Sequence, residues 1–436
     1  MTVSRGSLVV AAAVPLLFLH TAFQPHVSVT LAGTTVDAYL SDFAVLAVVI
    51  AALVMLVREG PAPLRPGRIL WVVTAAFFVW LGFELWWGRH HAASYPLATH
   101  AVTALKFLEY ALLAPALPLL VRTARDLLVV LWSFVLWSCA ATVVGIAEFF
   151  GADIAAKGTV GHRQASFLSS ADFAALSAGA LLVGLVAIGV PRFRVPRSLA
   201  AVALLTGTLG MIVAGSVASV LGVGTAIAVV GIVLLLRAEL TVRRAAAIGA
   251  VGAVVLGGVV AIRSTDLGAF ARFLGASEST QAQPQAKVQT YAHRTLLAWI
   301  GFEIWKDHPL LGVGWEGSAE PANFEPYLPA AHKHFPSESP LAFPSSNPNR
   351  RYGVQDAWLQ ALADGGVIGF ALWAAVFAAA AWLALRARAL LPALLALAWI
   401  ALLVWLWTAQ GFVAGIPLDA LTWLAFGLAA TRLSTE

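Results

Sequence analysis

Charge is scarce in this chain. Only 11% of its 436 residues are Asp, Glu, Lys or Arg, against roughly a quarter in a soluble domain. So few charges cannot clothe the surface of a water-soluble chain of this length. The mean hydropathy of +0.85 agrees. Cysteine is nearly absent too: Cys139 is single, so an internal disulfide is excluded and cysteine says little about compartment. The long apolar runs do not alternate polar and apolar residues as a membrane barrel would, which leaves the helical bundle as the way to satisfy backbone groups in lipid. Internal repeats, heptad arrays and a low-complexity tail are also missing.

What is present is apolar sequence in long runs, each of about 18 or more residues, enough to cross a hydrocarbon core of roughly 30 Å as a helix. Twelve spans are expected, near 7–23, 39–57, 69–87, 97–121, 127–150, 166–190, 198–215, 218–236, 245–263, 357–385, 389–409 and 417–432. The apolar stretch from Ser198 to Leu236 is too long for one helix, and Ala214-Gly215-Ser216 supplies the small residues for a tight turn. Residues 8–23 resemble a signal-peptide core, but no small-x-small cleavage site precedes a soluble domain, so the segment reads as an uncleaved first span. The expected architecture is an all-α integral membrane protein of about 12 transmembrane helices. One large external loop, carrying short amphipathic helices, divides it into residues 1–263, 264–356 and 357–436.

A net charge of +5 and a pI near 9.6 invite a nucleic-acid reading, but position argues against such a partner. Fifteen basic residues, among them Arg58, Arg122, Arg192, Arg237 and Arg386, fall in loops on one side with only four acidic residues. That is the positive-inside pattern, not a phosphate-binding stripe. Both termini are then cytoplasmic and the long loop is periplasmic or extracellular.

That loop, about Ser264 to Gln355, holds nine of the 21 prolines and four of the ten histidines. Asp266–Leu274 suits a short surface helix, and Gly275–Gln289, rich in Ser, Gln and Ala, a flexible segment. Leu296, Leu297, Ile300 and Ile304 recur at helical spacing across Tyr291–Lys306, a helix lying on the membrane or on the bundle. Pro309 and Gly312-Val313-Gly314 end it. The proline-rich Pro321–Asn349 reads as a lid or binding loop.

Ionisable residues sit where a passive scaffold has no use for them: Asp42, Glu84, Glu148, Arg163 and Asp172 at span ends, with Lys106 and Glu109 a turn apart inside the fourth span. Charge at membrane depth marks a functional path or an internal ion pair, and Lys106 with Glu109 fits the second. Glu84 and Glu148 stand near the interface, open to either solvation or function. Arg163, in Gly161-His162-Arg163-Gln164, opposes the positive-inside bias. A guanidinium there, before a helix start, suits a phosphate; an anchor at the surface is the plainer reading. Arg294 lies on the amphipathic helix, where a solvated face is the usual meaning of charge; His308, Trp315 and Arg163 in its company raise it above that. His332 and His334 flank Lys333 at a spacing poor for zinc, with no cysteine nearby.

Three phrases together resemble the O-antigen ligase/polymerase family of bacterial surface polysaccharide assembly. Gly161-His162-Arg163 … Phe167 … Ala171-Asp172-Phe173-Ala174 is similar to its Gly-Arg … Phe … Asn-x-x-Ala segment. Arg294 … Asp307-His308-Pro309-Leu310-Leu311-Gly312-Val313-Gly314 resembles its Arg … Asp-His-Pro-Leu-x-Gly-x-Gly signature. Gln355-Asp356-Ala357-Trp358-Leu359 … Asp364-Gly365-Gly366-Val367-Ile368-Gly369 resembles its His-Asn-x-Tyr-Leu-x … Glu-x-Gly-x-x-Gly segment. The likeness covers most of the chain as topology and about 160–370 as motifs.

The resemblance implies a glycosyltransferase of the bacterial inner (plasma) membrane. It would move a glycan from a polyprenyl diphosphate-linked oligosaccharide donor to a hydroxyl of a glycan or glycolipid acceptor, with no metal or other cofactor. Arg163 and Arg294 would hold the diphosphate, and His162, His308, Trp315, Gln355, Glu84 and Glu148 would contact substrate. Two positions depart from the family: its external Ser-Arg pair is Ser216-Val217, and its catalytic His-Asn pair is Gln355-Asp356. Glutamine cannot take a proton near neutral pH, so the base is Asp356, or His332, His334 or another group reaching in. Asp356 reads equally as the N-cap of the next helix. A catalytically silent lipid-linked-glycan binder and a membrane transporter are the alternatives from other classes. Peptidoglycan polymerases are a neighbouring enzymatic option without a supporting motif.

Overall fold

A computed structural model describes residues 3–31, 34–155, 163–190, 195–237, 239–273, 290–335, 353–387 and 390–433. The side chains of residues 31, 34, 265–273, 290–293, 332 and 390 are not described. The chain is overwhelmingly helical. Helix α1 (Arg5–Leu17) is followed by a hairpin of β1 (His26–Leu31) and β2 (Thr34–Tyr39), antiparallel with His26 opposite Tyr39. Then come α2 (Leu40–Glu59), α3 (Arg68–His91), α4 (Leu97–Ala111), α5 (Leu113–Leu120), α6 (Ala124–Phe149) and α7 (Ser170–Gly189). Helices α8 (Arg197–Ala214), α9 (Val217–Leu236) and α10 (Val242–Phe273) precede α11 (Thr290–Asp307) and the short α12 (Pro321–Phe324) and α13 (Leu328–His334). Helices α14 (Ala357–Arg386), α15 (Leu390–Leu406) and α16 (Pro417–Ala430) close the chain.

Among the described residues, nine helical segments are long and apolar enough to cross a membrane, by length and composition. Helices α1, α15 and α16 fall where three further spans are expected but are 13, 17 and 14 residues long. Every residue of α16 is buried, so its length is set by its helical neighbours and not by lipid thickness. The hairpin was not expected. Its signal is in the sequence, since His26-Val27-Ser28-Val29-Thr30-Leu31 alternates polar and apolar with β-branched residues.

Polar pairs tie the helix ends together. The Ser4 amide and the Ser7 hydroxyl both donate to Asp126 Oδ1 at 2.9 Å, joining the starts of α1 and α6. Arg122 pairs with Glu59 at 2.9 Å at the same end. Lys106 does not pair with Glu109 as the sequence suggests. Its ammonium turns to Asp42 Oδ2 at 3.1 Å and donates to the Asp37 carbonyl at 2.7 Å, so the neutralising partner comes from the start of α2. The turn between α8 and α9 falls where expected: Gly215 takes φ +58°, and the Ser216 hydroxyl accepts the Ser219 amide to start α9.

Helix α10 does not stop at residue 263 but continues to Phe273. Helix α11 forms as expected, with Leu296, Leu297, Ile300 and Ile304 all buried, in a small core with Val313, Phe324 and Ala363. The expected flexible segment 275–289 lies outside the described residues, as does the lid segment beyond Phe335 up to residue 352.

The turn after α11 and the start of α14 form one unit. Gly366 breaks α14 with φ +63° and ψ −164°, exposing carbonyls that the turn takes up. Val313 and Gly314 donate their amides to the Ala363 and Asp364 carbonyls at 3.0 and 2.8 Å, and Val367 donates to the Pro309 carbonyl at 2.9 Å. A side chain at Gly312 would strike the Asp364 carbonyl, and one at Gly366 the Leu310 carbonyl. The Asp364 carboxylate, buried, then accepts the amides of Glu316 and Ser318 and the Gln360 side chain at 2.8–3.0 Å. The phrase Pro309–Gly314 is thus a plug fitted into a broken helix, and its glycines are required by contact.

Candidate active site

Four side chains from four parts of the chain meet at the loop end of the bundle. Arg163 comes from the turn before α7. The Ser166 amide donates to Glu148 Oε2 at 2.9 Å and the Gln164 amide to the Val213 carbonyl at 3.1 Å, which fixes the turn on α6 and α8. Arg163 itself donates from Nη2 to Ser170 Oγ at 2.8 Å, at the first residue of α7. Arg294 is carried by α11, which buries its apolar face and turns Arg294, Thr295 and Ala298 the other way. Arg263, on α10, is 2% exposed. A Cβ at Gly215 would stand 3.2 Å from Cγ of Arg163 and 3.5 Å from Cδ of Arg263, so both arginines pass over the bare backbone of the α8–α9 turn.

Asp356 is the fourth. The Ala357 amide donates to the carbonyls of Trp407 and Gln410 at 2.8 and 2.9 Å, which pins the start of α14 to the end of α15. Asp356 Oδ1 accepts the amides of Trp358 at 2.9 Å and Leu359 at 3.1 Å. Both bonds fall on one oxygen, so capping the helix does not require Oδ2. Burial raises the pKa of this carboxyl above the usual value, opposed by the two amides and by the Arg294 charge.

These residues line one cavity of about 290 Å³, together with Gly215, Ser216, Val217, Gln355, Trp405 and Thr408. Three guanidinium groups share it with one carboxylate, a net charge of +2 among the described residues that line it. Such a pocket suits a ligand with two or more negative charges held by planar, forked donors. Arg263 was missed in the sequence, although it carries the same signal as Arg163, an arginine at the loop end of an apolar span. It stands beside Ser216, so a guanidinium does reach the turn where the family's Ser-Arg pair is Ser216-Val217, delivered by the neighbouring helix.

The other candidates lie elsewhere. Gln355 lines this cavity and a second one. Glu148 holds the Arg163 turn through the amides of Ala155 and Ser166 and is buried. Glu84 is buried as well, packed over Gly365 and Gly369 where no side chain competes for the space. The expectation that water reaches these two carboxylates is therefore corrected; helix packing and the closing turn cover them. His308 meets His91 edge to face, with ring centres 5.2 Å apart. Burial, then the nearby His91, hold its pKa below the usual value. Trp315 is a core residue, against Phe107 and Phe412, with its indole donating to Thr103 Oγ1 at 3.1 Å. His334 is exposed and stacks on Trp299. The His332 side chain and all of His162 lie outside the described residues.

No curated protein matches the chain. Residues 199–374, which run from α8 through the Arg263 and Arg294 helices, the plug and Asp356, match the family model described as O-antigen ligase. That family serves membrane glycan assembly. The motifs read in the sequence and the apolar helices agree with this match to the O-antigen ligase family over that stretch.

Proposed function

We propose that the chain is a glycosyltransferase that moves a glycan from a polyprenyl diphosphate to an acceptor hydroxyl, and that the arginine-lined cavity is its active site. The observation that carries this reading is the convergence of Arg163, Arg263, Arg294 and Asp356 on one cavity. The acceptor hydroxyl gives its proton to Asp356 as its oxygen bonds to the anomeric carbon. The bond from that carbon to the diphosphate oxygen breaks, and its electron pair stays on the diphosphate. The three guanidinium groups stabilise the charge that grows there. Asp356 serves as both cap and base, Oδ1 holding the helix amides and Oδ2 taking the proton. His334, stacked on Trp299 away from this cavity, is not the base. The chemistry is the same for a polysaccharide polymerase and for a ligase; only the acceptor differs.

Transfer by the purified protein in lipid discs tests this. Each of Arg163→Ala, Arg263→Ala and Arg294→Ala is expected to slow transfer about 10²-fold, the effect of losing one donor to a developing anion. Asp356→Asn is expected to slow it about 10²–10⁴-fold. Full activity in Arg163→Ala and Arg294→Ala would remove the diphosphate site. Wild type that binds the carrier lipid and never turns over would make the chain a binder of lipid-linked glycan.

A further inference from the structure

A second cavity of about 590 Å³ opens beside the first, with Gln355 in the walls of both. Its composition is the opposite. Among the described residues that line it there is no arginine or lysine; its polar wall is Thr99, His100, Glu316, Glu320, Gln355 and Gln360. His100 stands between the two carboxylates, Nδ1 2.9 Å from Glu316 Oε2 and Nε2 3.1 Å from Glu320 Oε1. Two ring nitrogens facing two carboxylates need two protons among the three groups, on the imidazolium or shared with one carboxyl. In either case these three groups by themselves sum to a charge of −1.

The triad is held from behind. The Glu316 amide donates to Asp364 Oδ2 at 3.0 Å, and Glu316 takes a left-handed backbone, φ +55°. Among the described residues only Ser166, in the Arg163 turn, shares that feature outside glycine. The Gln360 side chain is fixed by Asp364 and by the Phe412 amide, which it accepts at 2.7 Å. A fixed wall of carboxylates and amide groups matches a neutral sugar, whose hydroxyls donate to carboxylates and accept from amides.

We propose that this cavity is the acceptor subsite, binding a neutral sugar through His100, Glu316 and Glu320 and presenting its hydroxyl past Gln355 to the first cavity. The assignment of an acceptor role rests on the transferase reading above. The two cavities then sort their ligands by charge, the diphosphate to the arginines and the uncharged acceptor to the carboxylates.

The test uses the full chain in lipid discs and two separate binding measurements. One reads an array of neutral di- to tetrasaccharides, the other polyprenyl diphosphate. Wild type is expected to retain at least one sugar on the array. Glu320→Gln and Thr99→Trp, the second filling the cavity while leaving the three triad residues in the sequence, are expected to weaken that binding at least about tenfold. Polyprenyl diphosphate affinity should stay within about twofold in both, which also reports a folded protein. A wild type that retains no sugar, or variants that bind sugar as wild type does, would overturn the subsite. Sugar binding lost in Glu320→Gln, with polyprenyl diphosphate bound equally by wild type and by Arg163→Ala with Arg294→Ala, would keep the sugar site and remove the donor reading beneath it.

Discussion

Asp356 is a single carboxylate with two tasks that divide between its oxygens. Oδ1 accepts two amides at the start of α14, which leaves Oδ2 for the proton in a residue that lines the cavity. The protonated acid cannot take a proton from a hydroxyl, so turnover is expected to fall as pH drops through its pKa. Burial has moved that pKa upward, so the fall should begin above the ordinary carboxylate range; the Arg294 charge pulls the other way. Arg294→Ala removes that pull, and the acid limb of its residual activity is expected to shift to higher pH. Single-turnover rates across pH read both effects, and an unmoved acid limb in Arg294→Ala would separate Arg294 from the base. At this scale the sequence was a partial guide. Arg163 stood out because an arginine at the outer end of a span has no default explanation. Arg263 carried the same signal at the end of an apolar run, where it read as the last residue of a span. Trp315, by contrast, was singled out for its neighbours in sequence and is a core residue, because aromatic residues bury well.

The plug and the broken helix are the elements on which the site is hung. Pro309–Gly314 and Gly365-Gly366 read in sequence as separate phrases, a helix stop and a helix weakness. In the fold each answers the other: the break in α14 frees carbonyls that accept hydrogen bonds from the plug amides. Gly366 holds φ +63° and ψ −164°, a region open essentially to glycine alone, and a methyl group there would also strike Leu310. Gly366→Ala is therefore expected to destabilise the protein by about 2–3 kcal/mol or undock the plug. Thermal unfolding in detergent reads the first outcome. Loss of sugar binding with polyprenyl diphosphate binding retained reads the second, since Glu316 follows directly on the plug. A Gly366→Ala protein as stable as wild type would show that the break is not needed.

At the scale of the whole molecule, arginine placement predicts cytoplasmic termini and a loop on the other face. Ser4, Asp126, Glu59 and Arg122 gather at one end of the bundle, and the four site residues at the other. With Cys139 replaced by serine, an impermeant maleimide added to intact cells is expected to label a cysteine placed at the exposed Lys333 and not one placed at Arg5. Labelling at Arg5 alone would invert the orientation. Hydropathy by itself determined the helical membrane fold, because lipid demands long apolar helices whatever their neighbours. Motif spacing pointed to the O-antigen ligase family, whose model matches residues 199–374. Which helices stand side by side is not written in any local window. Only the tertiary structure brought Arg263 from α10 over Gly215 to Arg163, paired Lys106 with Asp42 in place of Glu109, and set the arginine cavity and the carboxylate cavity on either side of Gln355. Those meetings depend on packing between segments far apart in the chain, and there the chemistry of the site is decided.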